Sequence, residues 1–265
     1  MPAPGLLRLH RRMTDISLLA HVGASAAALV AGAVNAVAGG GTLITFPILT
    51  AIGVPAIRAN ATNTVSLGPG YIGGTYAQRR DLTGLSKPLR PQLIAAAIGG
   101  LGGSILLIVT SEAVFRQIVP FLILAACALL GFQDRLRSWL LSRSASSRAH
   151  RILEVGALAV AATYGGYFGA GLGIMLIAVL GLFSDLAFTR LNAVKQLLSV
   201  IINVFAAAFL VFSGRIEWTL VLVMAPASLA GGHFGGRLAG VLPPKKLRVF
   251  VIVFGIIVAL IYLFR

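Results

Sequence analysis

Asn192, Lys195, Ser199 and Asn203 follow one another at intervals of three, four and four residues in an otherwise apolar stretch. At these intervals an α-helix returns to the same side, so the four side chains share one face, which Gln196 widens. A lysine and several amides are expensive against lipid, so this face should turn toward the protein interior or a watery cavity. The chemistry it offers is that of an anion path: charge from Lys195, hydrogen-bond donors from Asn192, Gln196, Ser199 and Asn203. The alternative is that Lys195 extends its ammonium to the membrane surface while the amides bind neighbouring helices together.

A second, related stretch lies earlier. Arg58 is followed by Asn60, Thr62, Asn63, Thr64 and Ser66, a hydroxyl and amide cluster without a lysine. Each stretch is preceded by a glycine run: Gly39, Gly40 and Gly41 before the first, Gly171 and Gly173 before the second. Such runs break helices and free backbone N–H groups at the helix starts that follow, where the helix dipole favours negative charge. The expected site combines these fifteen residues, with Asn60, Asn63 and Thr64 facing Asn192, Lys195 and Gln196 across one shared cavity. Arg58 and Arg190 read as interfacial anchors, as do Glu112, Asp185 and Glu217 at segment ends. His233 is a packing residue or a proton carrier. Glycine pairs four apart, among them Gly99 with Gly103, Gly231 with Gly235 and Gly232 with Gly236, should let helices approach closely.

The elements that must position these residues are membrane helices. With 58% hydrophobic and 11% charged residues, the 265-residue chain has too few charges to cover a water-facing globule. Apolar runs of about 18 residues or more recur, without the two-residue alternation of a β-barrel. Crossings are expected near 16–38, 60–78, 90–110, 114–132, 152–175, 192–213, 217–241 and 247–264. Two shorter apolar pieces, 42–56 and 174–188, read as broken or re-entrant segments. The first crossing is too long for a signal-peptide core and should stay. The net charge of +15 reflects topology rather than nucleic-acid binding, because the basic residues cluster between apolar runs. Arg8, Arg11 and Arg12, then Arg79, Arg80, Lys87 and Arg90, then Arg135, Arg137, Arg143, Arg148 and Arg151 should all face the cytoplasm. That places both termini on the cytoplasmic side of a bacterial-type inner membrane.

Laid together at an offset of 132 residues, the halves bring Arg58 onto Arg190, Asn60 onto Asn192, Gly39 onto Gly171 and Gly41 onto Gly173. The fold expected is therefore an all-α polytopic membrane protein of about eight helices in two four-helix repeats. Its parts are a cytoplasmic segment 1–15, a first repeat 16–132, a basic linker 133–151 carrying Trp139, and a second repeat 152–265. Four crossings per unit would make the repeats parallel. An inverted pair needs an odd number, and would place the basic run Pro243 to Arg248 inside.

Several chemistries are excluded. Cys127 is the only cysteine, so there is no intrachain disulfide or thiolate metal cluster. No nucleotide-binding loop, Gly-x-Ser-x-Gly or His-Glu-x-x-His occurs, and Gly68-Pro-Gly70-Tyr-Ile-Gly73 follows no strand. No cofactor or metal is called for, and no nucleic-acid partner.

The stretch from Ala38 through the glycine run to Pro47 and Leu49, then Gly53-Val54-Pro55 and Ala59-Asn60-Ala61-Thr62-Asn63, resembles the signature of the TauE/SafE sulfite exporter family. Gly169-Ala-Gly171-Leu-Gly173 and Arg190-Leu-Asn192-Ala-Val-Lys195-Gln196 resemble its repeat. The resemblance implies a duplicated permease, not an enzyme, for sulfite, a sulfonate or a related carboxylate, coupled to an ion such as a proton or sodium. The second repeat departs from the first at Val179, in the place of Pro47, and at Leu172, which interrupts its glycine run. A membrane-embedded enzyme and a non-transporting anchor subunit are the competing functions. The oligomeric state is open.

Overall fold

The computed structural model describes residues 17–85, 89–141, 148–184, 186–239 and 244–264. Among these are ten α-helices and no strand: α1 (Leu18–Val37), α2 (Thr42–Ala51), α3 (Ala56–Ala77), α4 (Arg90–Val109), α5 (Glu112–Leu141), α6 (Arg148–Tyr167), α7 (Leu172–Phe183), α8 (Phe188–Leu210), α9 (Trp218–Leu238) and α10 (Pro244–Leu263). By length and composition α1, α4, α9 and the span Phe188–Ser213 could each cross a membrane. Shorter apolar helices cover Thr42–Ala51, Leu172–Gly181 and Ile252–Leu263. These spans do not establish the expected count of eight. α3 is long enough, but the polar run from Asn60 to Ser66 dilutes it. The expected N-terminal segment 1–15, Lys87, Arg143 and Asp185 lie outside the described residues.

Helix α1 stops because Gly39 and Gly40 take φ of +75° and +116°, which side chains disfavour. Asn35 closes the break, its Oδ1 accepting from Gly40 N at 3.1 Å and Gly41 N at 2.7 Å. α6 ends in the same way at Gly169 and Gly171, with φ of +75° and +73°. The backbone bonds correspond: Gly39 N donates to Val34 O as Gly169 N does to Tyr164 O, and Ile44 N to Gly41 O as Ile174 N does to Gly171 O. The register here is thus 130 residues, not 132, which puts Gly39 opposite Gly169 and Gly41 opposite Gly171. The offset of 132 returns only afterwards, because α7 has 12 residues where α2 has 10. Ala170 therefore interrupts the second glycine run, and Ile177 stands opposite Pro47.

Each half lends its fourth helix to the other. α9 packs along α1 and α3, while α4 packs along α6 and α8. α9 runs parallel to its neighbours: Ser25 Oγ donates to Val223 O, and Ser228 Oγ to Ser66 O. Gly231 and Gly235 face Leu29 and Ala33 of α1, and Gly232 and Gly236 face Gly70 and Gly74 of α3. On α4, Gly99 and Gly103 meet Ala162 and Thr163 of α6. The glycine pairs are close-packing devices, as their spacing predicts.

α3 and α8 cross antiparallel. Asn192 meets Gln78, Gly74 lies against Gln196, and Gly68 lies near Asn203. The second five-helix unit therefore runs opposite to the first, and exchanging the halves maps one set of helix contacts onto the other. This corrects the parallel four-helix arrangement, because the short helices α2 and α7 each reverse the chain. One end of the bundle, the near end, holds the starts of α1, α3, α5 and α9. There Glu112 takes the N–H groups of Ala56 and Ile57 at 2.5 and 3.1 Å, and Arg58 pairs with Glu217 at 3.1 Å. The opposite, far end holds the starts of α4, α6, α8 and α10. At 30 residues α5 is about 45 Å long, so it runs on past the membrane thickness. Helix occupies residues 133–141 and 148–151 of the stretch read as a linker.

Candidate functional site

Lys195 is the largest charged group in the interior, with no exposed surface. α8 brings it there by its face of small and polar residues, and Gly173 leaves room: a Cβ there would lie 3.3 Å from Lys195 Cδ and 3.0 Å from Gly39 Cα. The two glycine breaks thus meet beside the lysine. Its Nζ donates to Asn35 O at 3.0 Å and lies 3.5 Å from Ala36 O. These are last-turn carbonyls of α1, the negative end of that helix dipole. Among the described residues no carboxylate pairs with Lys195; the ion pairs are Arg58 with Glu217 and Arg116 with Glu112. The ammonium is inside, so the outward-extending alternative does not hold.

Around Lys195 stand the other expected residues of α8. Asn192 Nδ2 donates to Gln78 Oε1 at 2.7 Å and to Ala36 O at 3.2 Å. Gln196 and Ser199 are fully buried. Asn203 turns its amide back to Ser199 O at 2.8 Å. Several donors here lack a protein partner: Asn35 Nδ2, Gln78 Nε2, Gln196 Nε2 and Ser199 Oγ. Asn192 Oδ1 and Gln196 Oε1 are unpaired as well, and buried polar groups left without partners beside Lys195 are costly unless a ligand or water satisfies them.

Asn60, Asn63 and Thr64 do not face this cluster. The antiparallel crossing sets the start of each polar helix against the end of the other, so Asn60 lies about 27 Å along α3 from Gln78. There it forms a second cluster: Asn60 Nδ2 donates to Tyr167 O at 2.7 Å, Asn63 Nδ2 to Thr42 Oγ1 at 3.3 Å, and Thr45 Oγ1 to Asn63 Oδ1 at 2.5 Å. Thr64 Oγ1 bonds Asn60 O, Thr62 Oγ1 accepts from Glu217 N, and Ser66 Oγ is buried without a partner. The single shared cavity becomes two clusters, joined through the first glycine break. Lys195 holds Asn35 O, Asn35 Oδ1 holds Gly40 and Gly41, and Gly41 O receives Thr45 Oγ1, which also reaches Asn63.

Asn35, Thr42, Thr45 and Gln78 belong to the site and are absent from the expected set. Asn35, a lone amide four residues before Gly39, was the available signal. Gly40 N and Gly41 N are taken by Asn35, so those break amides are not free for a ligand. Arg190 holds Asp81 O and Thr83 O at the far end. His233 packs beside Tyr76. A cavity of about 940 Å³ opens at the near end, lined by Pro47, Thr50, Arg116, Gln117 and Tyr262. α2 lines it through Pro47 and Thr50, and the cavity's Tyr262 stacks on Phe46, which packs edge-on against Phe115 and Phe168.

A buried lysine beside two broken helices in an apolar bundle fits a membrane transporter, and that is the class the comparisons give. The sulfite exporter TauE/SafE family profile matches residues 24–262, and the chain belongs to that family. It is 25% identical to the probable membrane transporter protein ORF9 of Sinorhizobium sp, over 88% of each chain. It is 25% identical to the probable membrane transporter protein YfcA of Escherichia coli (strain K12), covering 85% of this chain and 83% of that one. A probable membrane transporter protein of Haemophilus influenzae is 27% identical over 84% and 87%. No solved structure matches the chain.

Proposed function

We propose that the protein is a secondary transporter of a small anion, sulfite, a sulfonate or a related carboxylate, which binds at Lys195. The observation that carries this reading is the fully buried Lys195 amine, without a carboxylate partner among the described residues and close to unpaired side-chain donors. Anion charge would balance Lys195, and Asn35, Gln78, Gln196 and Ser199 would take its oxygens. The near-end cavity serves as a vestibule that α2 and its aromatic neighbours close. The test is uptake by proteoliposomes of sulfite, sulfonates and short carboxylates under imposed ion gradients. Wild type should accumulate at least one of them, and Lys195→Ala should lose at least about tenfold in affinity, the worth of one charged hydrogen bond. No uptake by folded protein would end this reading and favour an anchor subunit.

The crossings are read as two inverted five-helix units in the cytoplasmic membrane, the short α2 and α7 counted as returning segments. The far end carries Arg79, Arg80, Arg90, Arg151, Arg190 and Arg237, together with the start of α10 at Pro244-Lys245-Lys246. The near end offers Arg58, Arg116 and Arg215, two of them paired with carboxylates. Even with the three arginines that precede α1 added to the near end, the far end holds more positive charge, so it faces the cytoplasm. The ends of the chain then lie on the outer side, the reverse of the expectation from loop charge alone.

A further inference from the structure

The two halves treat the same structural problem differently. α1 and α6 both stop at a glycine break, and both leave last-turn carbonyls that no following N–H can reach. At α1 these are Asn35 O and Ala36 O, and Lys195 Nζ covers both. At α6 the corresponding carbonyls belong to Gly165 and Gly166, in the register set by the breaks. The residue corresponding to Lys195 is Asn63, and its amide is turned away to Thr42 and Thr45. Among the described residues no hydrogen-bond donor reaches Gly165 O or Gly166 O, and both residues are buried. One step along, Asn60 Nδ2 occupies Tyr167 O at 2.7 Å. That bond fixes the amide's orientation and holds Asn60 Oδ1 beside the same helix end, buried and without a partner. The cluster therefore contains three partnerless oxygens at the negative end of a helix, and the positive charge that its twin carries is missing.

We propose that a sodium ion binds at this broken end of α6, held by the carbonyls of Gly165 and Gly166 and by Asn60 Oδ1, in the place that the Lys195 ammonium fills at α1. The donors are neutral oxygens, which suit a monovalent hard cation; a divalent ion would need carboxylates to repay its dehydration. A proton has no carrier here, since amides, hydroxyls and carbonyls do not titrate near neutral pH. Unwound carbonyls and half-helix C-termini are the groups with which membrane transporters hold a driving cation. This inference rests on the transport reading above and assigns its coupling ion. The Thr45 to Gly41 to Asn35 chain runs from the lysine to Asn63, one helical turn along α3 from Asn60.

The experiment uses full-length purified protein, with thermal midpoints measured in sodium chloride and in choline chloride at equal ionic strength, alongside direct binding of radioactive sodium. Wild type should gain about 3 °C or more at saturating sodium. Asn63→Lys, which supplies a second ammonium at the corresponding position, should lose the sodium shift and the bound sodium while staying folded in choline. Should that variant not fold, Asn60→Ser should raise the sodium concentration of half effect by about tenfold or more, since it withdraws one of three ligands. Equal wild-type midpoints in the two salts, or an unchanged sodium response in the variant that folds, would overturn the proposal. Anion binding measured on the same samples separates the two readings. Sodium binding without any anion binding sinks the anion reading, and anion binding indifferent to sodium sinks this one.

Discussion

At the scale of single residues, several polar side chains close helix ends. Glu112 is an example: its carboxylate caps α3, a helix whose own N-cap is Pro55 and offers no side-chain acceptor. Glu112→Gln keeps the shape but removes the charge from the positive helix end, and should cost about 1 kcal/mol, read as a lower thermal midpoint with uptake retained below it. Gly74 tests the anion cluster differently. A Cβ there would meet the amide end of Gln196 and, at 3.5 Å, Ala36 Cβ. The amide is the movable partner, so Gly74→Ala should leave the fold intact while displacing one anion donor. The expected result is anion affinity weaker by about fivefold to tenfold with little change in midpoint; a changed midpoint with unchanged affinity would place Gln196 outside the site.

At the scale of elements, the glycines on α9 and α4 decide how near the helices come. A side chain on Gly232 would meet the backbone carbonyl of Gly70, which cannot rotate away. Gly232→Ala should therefore push α9 off α3 and cost about 1–3 kcal/mol, visible as a lowered midpoint or loss of monodisperse protein. Gly102 sits in the same kind of sequence on α4 but faces open space. Gly102→Ala should be neutral or stabilise by about 0.5–1 kcal/mol through reduced backbone freedom. The contrast between two glycines with similar neighbours in the chain is a direct check on the helix packing.

At the scale of the whole molecule, opposite orientation of the halves follows from the antiparallel crossing of α3 and α8, and the proposed side rests on the distribution of positive charge. Single cysteines on a Cys127→Ala background read this out. Arg215→Cys, exposed at the near end, should react with an impermeant maleimide in intact cells. Arg80→Cys, exposed at the far end, should react only after the membrane is opened. The reverse pattern would return the ends of the chain to the cytoplasm.

Much was legible in the chain itself. Composition and apolar run lengths made it a helical membrane protein, and the Arg-x-Asn match exposed the duplication. Helical spacing put Asn192, Lys195 and Gln196 on one face, and the cost of polar groups against hydrocarbon made an inward turn of that face the expectation. The glycine signature pointed to the family. Only the tertiary structure showed that the two polar stretches form separate clusters, since periodicity names the face of a helix and not the neighbour or direction of crossing. It alone brought Asn35 to the first glycine break and corrected the register by two residues, a shift hidden because α7 is longer than α2. It also set Lys195 against α1 and left α6 without a counterpart, a difference that depends on which helix end each side chain meets across the fold.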